Sequence, residues 1–441
     1  MECSSSPQEL GQRAVRRVAV RLMPFLLLLY LIAYLDRANV SYAGLRMTRD
    51  LGFSDRVFGL GAGLFFVGYF LLEIPGSLLV ESWSARRWFA RIMISWGLCS
   101  AVCGLIHTRA AFYTLRLLLG AFEAGFAPGI VVYLSHWFRT HDRGRAIAFY
   151  QIGLPLSGII GAPLSGLLLD ARWLGLSGWR WVFIAEGLPA VLLGFVTFFY
   201  LTDWPHEARW LPAPEREWLQ AELRREHPEP APPAGFFAAL AGLGRLIPTV
   251  LSRPPVLLLM AGYFSGVISL LGITIWMPKM IQASGGLTDR QATGLVSLPY
   301  LTMLGVMLGL AWSADRTGER RWHTVIPAWL GGLGLTGAVL ARGHLAPLVP
   351  CLCLAAAGMG SFSTCLWGLV TSRVRHRRGA VAVGLINSTG NLGGFVGPYL
   401  MGYLKTATGS YTAGLYCLVT TAFLAGILVL SANLKRLSQV T

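Results

Sequence analysis

The chain has 441 residues, 54% of them hydrophobic and only 13% charged, with a mean hydropathy of +0.56. That balance excludes a soluble domain and points to an integral membrane protein. The 37 Lys and Arg against 21 Asp and Glu leave a net charge of +16, but no basic segment interleaved with aromatics sits in a soluble context. The charge is therefore not read as a nucleic-acid signal, and a membrane surface accounts for it.

A helix crossing a hydrocarbon core of about 30 Å needs about 20 apolar residues. Twelve such stretches are predicted, centred near residues 31, 67, 97, 122, 156, 190, 267, 302, 331, 358, 391 and 422. The first, Val18 to Leu35, is long enough to span and has no small-residue cleavage site after it, so it reads as the first helix and not as a leader. An even number of spans puts both termini on one side. Loops on that side hold 25 of the Lys and Arg and loops on the other hold 10, so the positive-inside rule places both termini in the cytoplasm, in a bacterial inner membrane.

Helix 1 carries Tyr30, Tyr34 and Arg37 at i, i+4 and i+7, with Asp36 beside them. Helix 4 carries Arg116 and Glu123 seven residues apart, on one face with Gly120 between them. Each charge inside a span costs roughly 2.5 to 3.5 kcal/mol, and such residues usually line a substrate or proton pathway. Two arginine forks and aromatic hydroxyls suit a carboxylate. Asp36 and Glu123 are candidate proton carriers, since each proton taken up leaves a positive charge for an organic anion, and proton and anion then favour each other's binding. Read as structure alone, the same residues are ion pairs bracing helix packing. Gln151 on helix 5 is read as a substrate contact or as a partner of a neighbouring helix. Glu73 on helix 2 and Glu186 on helix 6, the latter within reach of Arg180, are read as structural.

Residues 1–202 form a first six-helix half, 203–252 a central cytoplasmic loop and 253–441 a second six-helix half. Within the loop, Glu215 to Glu226 is predicted as an amphipathic surface helix, and the prolines from Pro228 to Pro233 exclude a helix after it. The halves repeat one another. ESWSARRW at 81–88 returns as DRTGERRW at 315–322, and Gly158-x-x-Gly161-x-Pro-x-x-Gly166 returns as Gly394-x-x-Gly397-Pro-x-x-x-Gly402. The glycines let helices 5 and 11 approach their neighbours closely. The loop charges Glu81, Arg86, Arg87, Asp315, Arg320 and Arg321 are read as an inter-helix latch that closes the cytoplasmic side, with Glu81 and Asp315 accepting from arginines or helix amides nearby. The seven cysteines show no zinc spacing and no disulfide framework. All eight histidines fall in loops or at helix ends, which disfavours a histidine relay.

Two parallel halves, a central loop and repeated acid-then-Arg-Arg loops resemble the major facilitator superfamily over essentially the whole chain. YLDRANVS (34–41), GYFLLEIPGSLL (68–79), RLLLGAFEAGFAPG (116–129), WRWVFIAEGLPAVLLG (179–194), SADRTGERRWH (313–323) and LINSTGNLGGFVGPYLMGYLK (385–405) are similar to the anion:cation symporter family, in particular its bacterial tartrate, phthalate, nicotinate and 4-hydroxyphenylacetate permease branch. Glu81 and Ser84 stand where superfamily members often carry Asp and Gly. The resemblance implies an all-α membrane fold of twelve helices and proton-coupled uptake of a small organic anion by alternating access. It implies no cofactor beyond the proton and no enzymatic activity. Arg37 and Arg116 would bind the carboxylate, Asp36 and Glu123 would carry protons, and Tyr34 and Tyr69 would line the site. Trp367 and Asn391 are expected as uncharged contacts from the second half. The partners expected are the anion and membrane lipid, with a functional monomer. Proton-linked drug export and ligand sensing without transport are the competing readings.

Overall fold

The computed structural model describes residues 7–226, 236–341, 343–372 and 377–433, with the side chains at 7, 81–82, 236–243, 377–378 and 380 outside that description. The described residues form helices and no strand. The first half comprises α1 (Pro7–Asp50), α2 (Asp55–Ser82), α3 (Ala85–Cys103), α4 (Arg109–Glu123), α5 (Phe126–Ser135), α6 (Thr140–Gln151), α7 (Gly153–Leu169) and α8 (Gly178–Tyr200). After α9 (Ala213–Glu226) and α10 (Phe236–Leu251), the second half comprises α11 (Pro254–Gly285), α12 (Asp289–Thr317), α13 (Arg321–Leu340), α14 (Leu345–Thr371), α15 (Arg377–Thr408) and α16 (Thr412–Ser431).

Ten segments among the described residues are long and apolar enough to cross a membrane, with α4 and α5 forming one and α6 and α7 another. The third and eleventh places belong to α3 and α15, whose arginines and asparagines dilute their hydropathy. At 1.5 Å per residue, the 19 residues of α3 still reach about 28 Å. Within the first half α3 packs on α8, α2 on α4, and α1 on α7 and α8; within the second, α13 packs on α14 and α16, and α11 on α15 and α16. The halves meet where α2 lies along α15, α7 along α12 and α1 along α11.

Small residues set the tightest crossings. A Cβ on Gly120 would stand 1.8 Å from the Phe65 carbonyl oxygen, and one on Gly397 would stand 2.4 Å from that of Ile268, as the expected close approach of helix 11 requires. Backbone cannot yield as a side chain can. Gly120→Ala is therefore expected to lower stability by about 1 to 3 kcal/mol, read as a lower melting temperature of the purified protein.

Two features of the chain differ from the sequence reading. First, the central loop is not uniformly irregular: α9 forms as expected, but residues 236–251 form a further helix, α10, against α2, α11 and α15. The apolar run there escapes notice because it is too short to span. α9 docks through Leu219, which is fully buried, the Arg17–Glu215 ion pair at 3.1 Å and Glu226, which accepts from the Thr140 amide at 2.8 Å. Second, the fourth span is broken near its middle, and the fifth is interrupted at Ile152, whose backbone stays helical (φ −59°, ψ −25°). α4 stops at Glu123 and α5 resumes at Phe126 after Gly125, whose φ of +84° favours glycine; α6 stops at Gln151 and α7 starts at Gly153. Pro128 and Pro155 lack the N–H that would bond the carbonyls of Ala124 and Gln151 four residues earlier, so each helix loses a rung there.

Candidate functional site

Both breaks fall beside charged or polar residues of the core. Glu123 ends α4 and Gln151 ends α6, half-buried, directly after Tyr150, whose ring lies 3.9 Å from that of Tyr30. Within a bilayer, unwound backbone is tolerated only where it is covered by protein or lines a cavity, which makes such a break a place to look for a site.

The Arg37 Nε donates to Glu123 Oε1 at 2.6 Å, with the Glu123 side chain fully buried and that of Arg37 15% exposed. Its guanidinium is boxed by rings, lying 4.9 Å from the centroids of Tyr34 and Tyr69 and 5.5 Å from that of Phe65. Arg116 reaches the same Phe65 ring at 5.1 Å. Its residue is 1% exposed, and its Nε and Nη1 have no hydrogen-bond partner. Among the described residues nothing accepts from these two donors, and leaving buried donors unmet costs about 1 to 3 kcal/mol. The pair therefore forms between Arg37 and Glu123, whereas the shared face on helix 4 suggests Arg116 and Glu123. Gly120 explains this: it lets α4 sink onto α2 at Phe65 and Tyr69, which delivers Glu123 to the Arg37 side.

Asp36 turns away from this box. Its Oδ1 accepts from Asn39 Nδ2 at 2.9 Å and from the Ser100 hydroxyl of α3, and its Oδ2 is unpartnered. Neutral donors hold it. From the second half, Trp367 Nε1 donates to the Tyr263 hydroxyl at 3.3 Å, with the rings 5.2 Å apart. Asn391 donates to Glu73 Oε2 at 2.9 Å, and Asn387 donates to Glu73 Oε1. Glu73, read from the sequence as structural, thus bridges the two halves. Tyr263, Asn387, Ser100 and Asn39 carry no sequence signal strong enough to single them out; the i, i+4 spacing of Asn387 and Asn391 is the one available clue. Glu186 also differs from expectation: it bonds Ser165 at 2.5 Å, while Arg180 bonds the carbonyls of Gly104 and Ile106.

The repeated loops act within their own halves. The side chain of Glu81 lies outside the described residues, and the acid serving Arg86 is Asp203, at the end of the sixth span. Asp203 accepts from the Arg86 amide at 2.8 Å and from Ser84 Oγ at 2.6 Å and lies 3.7 Å from Arg86 Nε. Arg87 is exposed, and its amide donates to Ser84 Oγ. Arg320 pairs with Asp315 at 3.2 Å, as expected, and donates to the Gly368 carbonyl at 3.0 Å; Arg321 donates to the Leu430 carbonyl. The helix amides are taken by Glu319, which accepts from Arg321 at 2.8 Å and Trp322 at 2.9 Å. Partial burial pushes the Glu319 carboxyl up, but the Trp322 amide and the His323 ring and amide outweigh it and hold the group below the usual carboxylate range.

At the end away from the termini, the halves are tied by charges that no motif announces. Arg46 binds Asp289 and, at 2.8 Å, Asp170; Arg49 donates to Gln282 at 3.1 Å; Lys279 reaches Asp55 at 3.1 Å and lies 4.2 Å from the Phe58 ring. This end is closed. Asp289→Ala is expected to release Arg46 and Gln282 and to raise labelling of a cysteine introduced at Thr48 by an impermeant maleimide about tenfold, the effect of about 1.4 kcal/mol on a two-state closure; unchanged labelling would show that these charges do not hold the closure.

Residues 26–398 match the Major Facilitator Superfamily. The chain is 41% identical over 425 residues to a "Putative tartrate transporter" of Agrobacterium vitis, covering 96% of this chain and 94% of that one. It is 38% identical over 407 residues to a "Quinolone resistance transporter" of Acinetobacter baumannii (92% and 91% covered) and 38% identical over 425 residues to the "Putative metabolite transport protein NicT" of Pseudomonas putida (95% and 94% covered). Among solved structures, a bacterial homolog of the human lysosomal transporter Spinster, inward-facing and unoccupied, superposes with a TM-score of 0.73 at 16% identity, covering 97% of each chain. The xylose transporter XylE from E. coli, partially occluded and inward open, superposes at 0.70 and 15% identity, covering 93% of this chain and 97% of that one. The twelve spans in two six-helix halves, the half-to-half seam and these matches agree: the chain is an integral membrane transporter, not an enzyme, and belongs to the major facilitator superfamily.

Proposed function

We propose that the protein is a proton-coupled symporter that takes up a small organic carboxylate by alternating access, acting as a monomer in a bacterial inner membrane with both termini in the cytoplasm. The observation that carries this reading is Arg116, buried with two free guanidinium donors beside a second arginine whose carboxylate partner is Glu123. On this reading Arg37 and Arg116 bind the carboxylate, Tyr34, Tyr69 and Gln151 line it from the first half, and Trp367 and Asn391 complete it from the second. The coupling ion is the proton, and no cofactor is involved. Glu123 couples by protonation: the neutral acid releases Arg37, which becomes available to the anion, so proton and cargo stabilise the same state. Asp36, held by neutral donors, carries charge without restraining an arginine. The tartrate-named and NicT-named relatives support an organic anion as cargo.

The test is uptake of labelled tartrate, nicotinate, phthalate and 4-hydroxyphenylacetate into proteoliposomes with an imposed inward proton gradient. Gradient-stimulated uptake of at least one acid is expected. A second reading, proton-linked drug export, is favoured by the quinolone-resistance relative; it predicts no acid uptake and proton release driven by a drug instead. Two pocket arginines repel cationic cargo, which sets this reading second.

A further inference from the structure

The seam between the halves holds one more carboxylate than the symport scheme uses. Glu73 lies one turn from Tyr69, is 3% exposed, and presents both oxygens to the amides of Asn387 and Asn391, which stand one turn apart on α15. Among the described residues no ion pair forms at Glu73, and its donors are neutral. Beside it Tyr263 closes the second-half wall, pressed by Gly390 and bonded to Trp367. Two side-chain amides from the second half converging on one carboxylate, one turn of α2 from the Tyr69 ring that borders Arg37, are a carboxylate receptor, and in this structure the chain itself fills it.

We propose that Asn387 and Asn391 form a second carboxylate subsite, that Glu73 is its tethered occupant, and that the cargo is a dicarboxylate whose distal carboxylate displaces Glu73. The inference rests on the reading of the protein as a carboxylate transporter and narrows it. The exchange replaces one carboxylate by another, so the two amide donors stay satisfied, and the displaced Glu73 is accommodated by water entering with the opened seam or by taking up a proton. It also severs the Glu73 link from α2 to α15, so only a diacid both fills the site and frees the seam. A monocarboxylate held by the arginines leaves Glu73 in place.

The test uses the full-length protein in proteoliposomes, with tartrate as the diacid and nicotinate as the monoacid. Asn387→Ala and Asn391→Ala are expected to raise the ratio of KM for tartrate to KM for nicotinate about tenfold, the loss of a charge-assisted hydrogen bond. Glu73→Gln, a neutral and weaker occupant, is expected to lower that ratio severalfold. Protection of each variant by tartrate against thermal unfolding gives the same comparison without turnover. An unchanged ratio in all three variants, or a Glu73→Gln effect confined to kcat for both acids, would make Glu73 a clasp between halves and overturn the subsite while leaving carboxylate transport standing. Failure of the folded wild type to take up tartrate would overturn the subsite, and failure with all four acids of the panel would overturn carboxylate transport as well.

Discussion

Arg116→Ala is expected to abolish carboxylate uptake, weakening apparent affinity more than about 100-fold. The magnitude follows from the donors removed: each hydrogen bond from a charged group to a carboxylate contributes about 1.5 to 3 kcal/mol, and a fork supplies two of them. Arg116 is the cleaner of the two arginines to test. Removing Arg37 strands Glu123, a fully buried carboxylate at 2.6 Å, and breaking a buried pair costs about 3 to 5 kcal/mol, so loss of uptake in Arg37→Ala mixes lost binding with lost stability. Arg116 has Nε and Nη1 without partners, so its removal breaks no hydrogen bond at those atoms. Arg116→Lys keeps the charge but not the planar fork and is expected to recover a small part of the affinity. Measured as KM in proteoliposomes and as tartrate-induced thermal protection in detergent, unchanged affinity in Arg116→Ala would remove this residue from the site.

The second large effect belongs to Glu123→Gln. The amide retains an oxygen that accepts from Arg37 and nearly the same volume, but it carries no charge, so it imitates the protonated acid permanently. Exchange of internal for external substrate is then expected to continue near the wild-type rate, while accumulation driven by an inward proton gradient falls to the level set by substrate concentration alone. The sign follows from the geometry: protonation of Glu123 weakens its hold on Arg37, so in the wild type acid on the uptake side favours anion binding and its withdrawal favours release. Glu123→Gln fixes the first condition and removes the dependence. If the variant still concentrates substrate against a gradient, coupling resides elsewhere, and Asp36 with its Ser100 and Asn39 donors is the next group to examine.

The residues visible in the sequence were those whose chemistry clashes with their surroundings. Arg37, Arg116, Asp36 and Glu123 stand out because a charge in an apolar span demands a reason, and the structure gathers Arg37, Glu123, Tyr34, Tyr69 and Arg116 around Phe65. The twelve spans and their duplication were equally legible, since apolar length and repeated loops need no tertiary information. Partnerships were not. Arg86 finds Asp203 across 117 residues and Arg46 finds Asp289 across 243, and helix spacing says nothing about such distances. The assignment of Glu123 to Arg37 depends on how deeply Gly120 seats α4 on α2, a packing fact. The helix breaks were the readable feature overlooked: Gly125 with Pro128, and Gly153 with Pro155, mark lost backbone rungs beside Glu123 and Gln151. The partners of Glu73 were not legible either, because Asn387 and Asn391 lie in the opposite half, 314 and 318 residues away.

The central claim is that one transport event moves a proton and a carboxylate together. The most direct measurement adds tartrate, nicotinate, phthalate or 4-hydroxyphenylacetate to the outside of proteoliposomes at equal internal and external pH, with a pH-sensitive dye trapped inside. The account predicts that a transported acid acidifies the lumen at a rate proportional to its own uptake, and that Arg116→Ala and Glu123→Gln both abolish the signal, the first with loss of uptake and the second without loss of exchange. Uptake of an acid with no accompanying lumenal acidification in the wild type would contradict it.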